Sequence, residues 1–344
     1  MASTNLSTKT YRNVRDLPAA VWRALESNAR NANVILPQTI KARAESSAGR
    51  PTTGIIWITC SSSKSSSSNI EYVLAVTEGI TGSYPIFIYT TLPFHLLRRE
   101  RIRPSIKLLA MALDSALSSR RRVYSVFAPK SITEVFAQEW SDLTCIAYYN
   151  KPYYAASISY CTARTLDTQS LTKETSLGYK LRPAVADDVQ KVGELCFLFA
   201  KDSPPFVLSR GKAQMEARRL IEMKQVWVHE AQHPGQQKEI ACIVAFTRNS
   251  DKVAAITKVC TNPEWRRRGC AGRLVREVCK YLLITGPNPK ESVVLYAAHD
   301  NLAARSVYDR IGFVGLSQGG PTVEGADPWL EIGLDASKVD IGHW

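Results

Sequence analysis

The sequence predicts an α/β or α+β protein of two domains, and three observations carry that expectation. Strand-like runs alternate with helical stripes along the chain. The 344 residues exceed twice the ~150 typical of one domain. The hydrophobic share is 45% and the charged share 22%, the proportions of a globular chain, which excludes extended disorder. No apolar run reaches the ~20 residues that a membrane span needs, so no membrane partner is expected. Met1 to Val14 is polar and lacks the apolar stretch of an export signal; this predicts a cytoplasmic location, and the charge is compatible with nuclear entry. Lysine and arginine number 44 against 31 acids, a net charge of +13. That balance favours an anionic partner: nucleic acid, an acidic surface or a phosphate-bearing cofactor.

In order along the first half, Leu17 to Arg30 is expected as a helix after Asp16, and residues 43–54 as a loop. Ile55 to Thr59 is a strand by its β-branched content. Ser61 to Asn69 holds seven serines in nine residues and is expected as a flexible surface loop. Glu71 to Val76 and Tyr84 to Thr91 are further strands. Pro104 suits the first turn of a helix, whose buried stripe is Ile106, Leu109, Ala110, Leu113 and Leu117. Arg122 to Phe127 is a strand, Ser131 to Glu134 a capping box opening a helix to about Trp140, and Thr144 to Tyr149 a short strand. Ser159 to Ser176 lacks periodicity, which divides the chain into domains 1–165 and 177–335. The first shows no chemical motif.

In the second half, Tyr179 to Arg182 is a strand stopped by Pro183. Val185, Val189, Val192, Cys196 and Phe199 form a helical stripe, ended at Ser203-Pro204-Pro205, and Lys212 to Met223 is a second helix. Val226 to His229, Ile240 to Thr247 and Val253 to Thr261 are strands, the last two joined through the turn Asn249-Ser250-Asp251. A helix from Gly269 to Leu283, a strand from Glu291 to Ala298, a helix from Leu302 to Ile311 and a strand from Trp329 to Leu334 complete the order. The eight cysteines include no CxxC pair, so they are expected to be reduced core residues with no structural zinc. His229 and His233, a strand end and a turn, predict no metal site.

The informative region is the basic, glycine-containing loop Arg266-Arg267-Arg268-Gly269-Cys270-Ala271-Gly272 between a strand and a helix. A helix N-terminus presents unpaired N–H groups and a positive dipole end, both favourable to a phosphate. Gly269 and Gly272 leave room for a ligand to approach the backbone. The stripe Ala271, Leu274, Val275, Val278, Cys279, Leu282 and Leu283 packs that helix on a sheet. GxGxxG and GxxxxGK[ST] are both absent, which excludes the dinucleotide fingerprint and the P-loop.

Arg-x-x-Gly-x-Ala at 266–271 resembles the acyl-CoA signature [Q/R]-x-x-G-x-[G/A] of the GNAT N-acetyltransferase superfamily. Asn301 to Phe313 (NLAARSVYDRIGF) is similar to the family's N-x-x-(A/S)-x-x-x-Y-x-x-x-G-F segment, about 35 residues further on. The resemblance covers residues 179–334. It looks nearest to fungal-type members with V-x-T-x-P-E-x-R-x-x-G, which Val259 to Gly269 match. It implies a mixed, mostly antiparallel central sheet flanked by helices, with the first domain either a degenerate second copy or an extension.

The resemblance further implies direct transfer of an acetyl group from acetyl-CoA to a primary amine, on a small molecule or a lysine. Backbone groups of Val259, Cys260 and Thr261 and the loop Arg266, Arg267, Arg268, Gly269, Cys270, Ala271 and Gly272 would hold the cofactor, with Asn301, Ala304 and Tyr308. Its pantetheine arm would lie between Val253–Thr261 and Glu291–Ala298. Tyr308 would protonate the departing thiolate. Glu230 matches an acid at that place in similar sequences and is the expected general base, with His299 and Asp300 at the substrate mouth as further candidates. Acceptor choice would sit on loops 201–212 and 314–328. A non-catalytic acyl-CoA sensor is the first alternative. A nucleic-acid protein ranks last: the arginine runs at 98–103 and 120–122 lack the interleaved aromatics such a module uses.

Overall fold

The computed structural model describes residues 5–51, 54–64, 67–79, 82–169, 178–206, 208–232, 235, 237–316 and 323–343. In chain order the elements are β1 (Asn5–Tyr11), α1 (Ala19–Ser27), α2 (Leu36–Ser47), β2 (Ile56–Lys64), β3 (Ser67–Val76), β4 (Ile86–Thr90), α3 (Arg99–Ala116), β5 (Ser125–Pro129) and α4 (Lys130–Thr144). Then come β6 (Tyr154–Cys161), β7 (Tyr179–Pro183), α5 (Val189–Lys201), α6 (Arg210–Glu222), β8 (Val226–Ala231), β9 (Glu239–Asn249) and β10 (Val253–Thr261). The chain ends with α7 (Cys270–Lys280), β11 (Ser292–Ala298), α8 (Leu302–Ile311) and β12 (Pro328–Gly333).

These elements form two compact units, Met1–Ala156 with Asp327–Trp344, and Ser157–Ala326. β12, counted with the second domain by the sequence, therefore belongs to the first unit. The order strand, two helices, three strands, helix, strand, helix occurs twice, once from β1 to α4 and once from β7 to α8. In the first unit the strand order is β1-β2-β3-β4-β5-β12. In the second it is β6-β11-β10-β9-β8-β7, with β6 entering at Ser157. Only β4/β5 and β10/β11 pair in parallel among the registers described, the others being antiparallel. The mixed, mostly antiparallel sheet flanked by helices is as expected.

Several elements differ from the sequence reading. Residues 43–47 end a helix, α2, which Pro37 starts and which buries Leu36, Thr39 and Ala42; Trp57 Nε1 donates to Thr39 Oγ1 at 2.9 Å. The serine run is not a loop. Ser61, Ser62 and Ser63 pair with Ile70, Asn69 and Ser68 on one side and with Ser7, Leu6 and Asn5 on the other. Backbone ladder bonds on both edges outweigh polar side chains that favour turns; residues 65–66 lie outside the described residues. α3 starts at Arg99, so Pro104 lies inside it and gives up one intrahelical bond. The capping box is not formed: α4 starts at Lys130, with Pro129 at its N-cap and no side-chain cap bond, so Ser131 already lies inside the helix. Thr144 ends α4, and only an isolated bridge, Tyr148 with Leu334, remains of the strand expected there. The strand is β6, in what reads as the start of the linker.

In the second unit the sheet has two apolar faces. Val226, Val228, Ile243, Ala245 and Cys260 pack under α5 and α6. Cys242, Val244, Ala254 and Ile256 pack with Val293 and Leu295 of β11 under α7. The α7 stripe is buried from Leu274 to Leu283, as its spacing predicts, with Ala271 partly so. The segment after β6 straps the end of α8. Arg276 Nε donates to the Asp167 carbonyl at 2.9 Å, and Asp167 N to the Ile311 carbonyl at 2.9 Å. Gly312 has φ +108°, and a Cβ there would sit 1.9 Å from the Thr165 carbonyl oxygen. The glycine of the N-x-x-(A/S)…G-F segment is thus required twice, by conformation and by the strap.

Candidate functional site

The site begins where two parallel strands stop pairing. β10 and β11 are in register only at Val253/Ser292, Ala254/Val293 and Ala255/Val294. Irregularities in the β9 register at Ala255–Lys258 bend β10 just there, and a bulge has that effect. Beyond the fork, β10 stays paired with β9. Asn262 N donates to the Ala241 carbonyl at 2.9 Å, so by ladder alternation Cys260 and Lys258 also face β9. The N–H and C=O groups of Val259 and Thr261 therefore face the opening. Two of the expected β10 positions can offer backbone donors there; the backbone of Cys260 cannot, and its side chain is buried under α5 and α6.

The strand leads into a tight turn at Pro263–Trp265, capped by Asn262 Oδ1, which accepts from Glu264 N at 3.2 Å. Trp265 is buried and its Nε1 donates to Glu239 at 2.9 Å. The loop then takes two left-handed residues, Arg267 (φ 62°) and Gly269 (φ 74°). α7 starts at Cys270, so the N–H groups of Cys270, Ala271 and Gly272 have no intrahelical acceptor. Arg273 N is the first to bond back, to the Gly269 carbonyl at 3.1 Å. A Cβ on Gly272 would meet Val307 of α8 at an ordinary 3.5 Å, so Gly269 is the glycine the loop geometry demands. Of the three arginines, Arg266 lies 3.5 Å from Asp202 and Arg268 covers the Trp265 ring. Cys270 is buried, which raises its thiol pKa and makes it a packing residue.

Tyr308 is half-buried on α8, its ring 5.8 Å from that of Phe313. Burial first, and the nearby Cys242 and Cys279, push its hydroxyl above the usual value, so it is protonated at neutral pH. Asn301 caps α8: its Oδ1 accepts from Ala304 N at 3.0 Å. The Ala304 N–H is thus engaged and unavailable to a ligand as it stands, while the Asn301 oxygen keeps a second lone pair. Glu230 does not fit a general base. Arg182 donates to it at 2.8 Å and Lys238 lies 3.2 Å away. Arg182 foremost holds the carboxyl below its ordinary value, which weakens it as a proton acceptor. His299 follows the last residue of β11 and shares a 3.1 Å hydrogen bond with Ser157 Oγ. Asp300 beside it is exposed. His233 lies outside the described residues, as do 207 and 317–322 of the expected acceptor loops. Among the described residues no group of three or more His, Cys, Asp or Glu could hold a metal. No described helix is long and apolar enough to cross a membrane.

The sequence reading missed Arg273. Its guanidinium reaches back over the loop, with Nη2 donating to the Arg268 carbonyl at 2.7 Å and Nε to His229 Nε2 at 3.3 Å. It also lies 4.9 Å over the Tyr179 ring, which stacks on His229 at 5.0 Å. Burial, then Arg273, lowers the His229 pKa to about 4, so the ring is neutral. The only signal in the sequence was a lone arginine on the first turn of an otherwise apolar stripe.

A family model described as "FR47-like protein" matches residues 237–318, the stretch from β9 through α8. A tandem GNAT protein from the clavulanic acid biosynthesis pathway aligns over 96% of this chain and 98% of its own, at 13% identity and a TM-score of 0.51. The fold is GNAT-like. A Drosophila protein covers 97% and 99% at 10% identity, TM-score 0.57. A GCN5-related N-acetyltransferase from Sphaerobacter thermophilus covers 95% and 95% at 13% identity, TM-score 0.52. No curated protein matches. Full-length alignment to a tandem protein agrees with the repeated element order and is consistent with two GNAT-like copies.

Proposed function

We propose that the chain is an N-acetyltransferase that uses acetyl-CoA and a primary amine, small-molecule or lysine, by direct transfer, and that its second unit carries the reaction. The observation that carries the reading is the combination in one unit of an opened parallel fork and a left-handed glycine loop at the start of a packed helix. The residues suit the cofactor on their own geometry. Gly269 leaves the loop backbone bare, the first-turn N–H groups of α7 are open to a pyrophosphate, and the β10 donors turn into the fork where a pantetheine arm would run.

Bound acetyl-CoA would supply the activated acyl group. Val259 N–H polarises the thioester carbonyl from the opening; a donor of this kind contributes about 3 kcal/mol to lowering a barrier. Tyr308, the α8 tyrosine beside the fork, delivers a proton to the leaving sulfur. His299, at the open end of β11 and held by Ser157 Oγ at 3.1 Å, replaces Glu230 as the base that takes the amine proton. The V-x-T-x-P-E-x-R-x-x-G match supports a place among fungal-type members. Thiol release is measured with acetyl-CoA and a panel of polyamines, aminoglycosides, amino acids and histone peptides. Tyr308→Phe is expected to lower kcat about tenfold to a hundredfold with acetyl-CoA affinity unchanged. Tight binding without thiol release from any amine, indifferent to Tyr308→Phe, would establish the sensor reading in its place.

A further inference from the structure

We infer that Arg273 is a positioning residue that sets the orientation of the Arg268–Gly269 peptide and so aims the Gly269 N–H at the cofactor phosphates. The inference rests on the acetyl-CoA reading of this loop. In a trans peptide the C=O and N–H point in opposite directions. Nη2 of Arg273 holds the Arg268 carbonyl at 2.7 Å, so the Gly269 N–H of the same unit points away from the guanidinium, to the open side of the loop. The flanking residues need this support. Arg267 occupies the left-handed region at φ 62° without being glycine, a conformation that costs about 1 kcal/mol or more. A held carbonyl keeps the loop from relaxing out of it.

The guanidinium is itself fixed from three sides. His229 Nε2 accepts from its Nε at 3.3 Å, and the Tyr179 ring lies 4.9 Å beneath it. The third is the Arg268 carbonyl, and Nη1 lies in the space left by Gly269, where a Cβ would come within 3.0 Å of it. His229 is 1% exposed and neutral; its Nε2 is the acceptor, so Nδ1 carries the proton, and Nδ1 has no partner among the described residues. The histidine is placed to receive one bond from Arg273 at the expense of its own second nitrogen. Gly269 therefore has a second duty besides its φ: it leaves the volume in which the guanidinium lies. A lysine at 273 would keep the charge but has no planar fork to stack on Tyr179 while bonding both oxygen and nitrogen.

The test titrates acetyl-CoA calorimetrically into the wild type, Arg273→Lys, Arg273→Gln and His229→Gln, with Tm measured for each. Arg273→Lys and Arg273→Gln are expected to weaken binding alike, by about tenfold to a hundredfold, with Tm nearly unchanged; His229→Gln weakens it severalfold. Arg273→Lys within twofold of wild type would overturn the inference, because charge near a phosphate would then account for the residue. Should an Arg273 variant fail to fold, His229→Gln decides, and unaltered affinity there is the contrary result. A wild type that binds no acetyl-CoA sinks the functional reading separately. The peptide orientation is then read from the Gly269 amide signal of 15N-glycine-labelled protein titrated with inorganic pyrophosphate: a shift in wild type but not in Arg273→Gln supports the inference, and equal behaviour overturns it.

Discussion

The two units repeat one element order and part company at the fork. In the first unit β4 and β5 are in register at Ile86/Val126 and Phe87/Phe127 only, and in the second unit the parallel pairing ends after Ala255/Val294. There the last pair is two phenylalanines in edge contact at 6.4 Å, and Phe127 also packs on Trp329 at 5.0 Å and Tyr154 at 6.4 Å. Where the second unit has alanine and valine and an opening, the first has packed aromatic core. The connections differ as well. Between β4 and α3 the chain holds no glycine, and α3 is entered through Arg98 in an extended conformation. Between β10 and α7 it takes two left-handed residues. Tyr308 lies four residues before the left-handed cap Gly312; the place four before the left-handed cap Cys145 is Ser141. The strand pair and its helix belong to the fold. Small side chains at the fork, a bare loop and a tyrosine are what the proposed chemistry asks for, and among the described residues the second unit combines them.

Gly312→Ala drives a methyl into the Thr165 carbonyl and should cost about 4 kcal/mol or more, read by denaturant unfolding; a loss below 1 kcal/mol would mean that the strap yields. Phe127→Ala opens a cavity in the first unit and should cost about 3–4 kcal/mol while leaving acetyl-CoA affinity within twofold. Altered affinity would place cofactor contacts in the wrong unit.

Acid should act through His229. Its folded pKa of about 4 lies below the ~6.5 of an unfolded histidine, so on acidification the unfolded chain takes the proton first. Stability contributed by the neutral ring is whole above pH 6.5 and falls until about pH 4, by roughly 3 kcal/mol in all. The groups against the ring are the Arg273 guanidinium and the Tyr179 ring. His229→Gln should flatten that part of the profile; an unchanged slope would show that other groups cause it. Smallest of all, Cys145→Gly relieves a left-handed non-glycine cap and should add about 0.5–1 kcal/mol.

Much of the second unit was legible in the sequence, because its signals are local. The α7 stripe, the turn at Asn249–Asp251 and the glycine loop each declare themselves within a dozen residues. The repeat could be offered only as one of two alternatives, since the first copy keeps the element order but none of the loop or tyrosine residues by which the second is recognised. Nor was the placement of β12 with β5, or of the serines in a ladder paired on both edges. Those depend on partners far along the chain, and side-chain propensity at Ser61–Ser63 points the other way. Glu230 misled for a related reason: its place on β8 suggested a base, while Arg182 and Lys238, which neutralise it, approach from β7 and the β8–β9 connection.

The central claim, that the acyl-CoA chemistry resides in the loop of the second unit alone, is met most directly by calorimetric titration of acetyl-CoA into the wild type and an Arg268→Glu, Gly269→Asp double variant. The account predicts binding of about micromolar strength with one site per chain, abolished in the variant while the fold is kept. Two sites per chain, binding that survives the variant, or no binding by folded wild type would each contradict it.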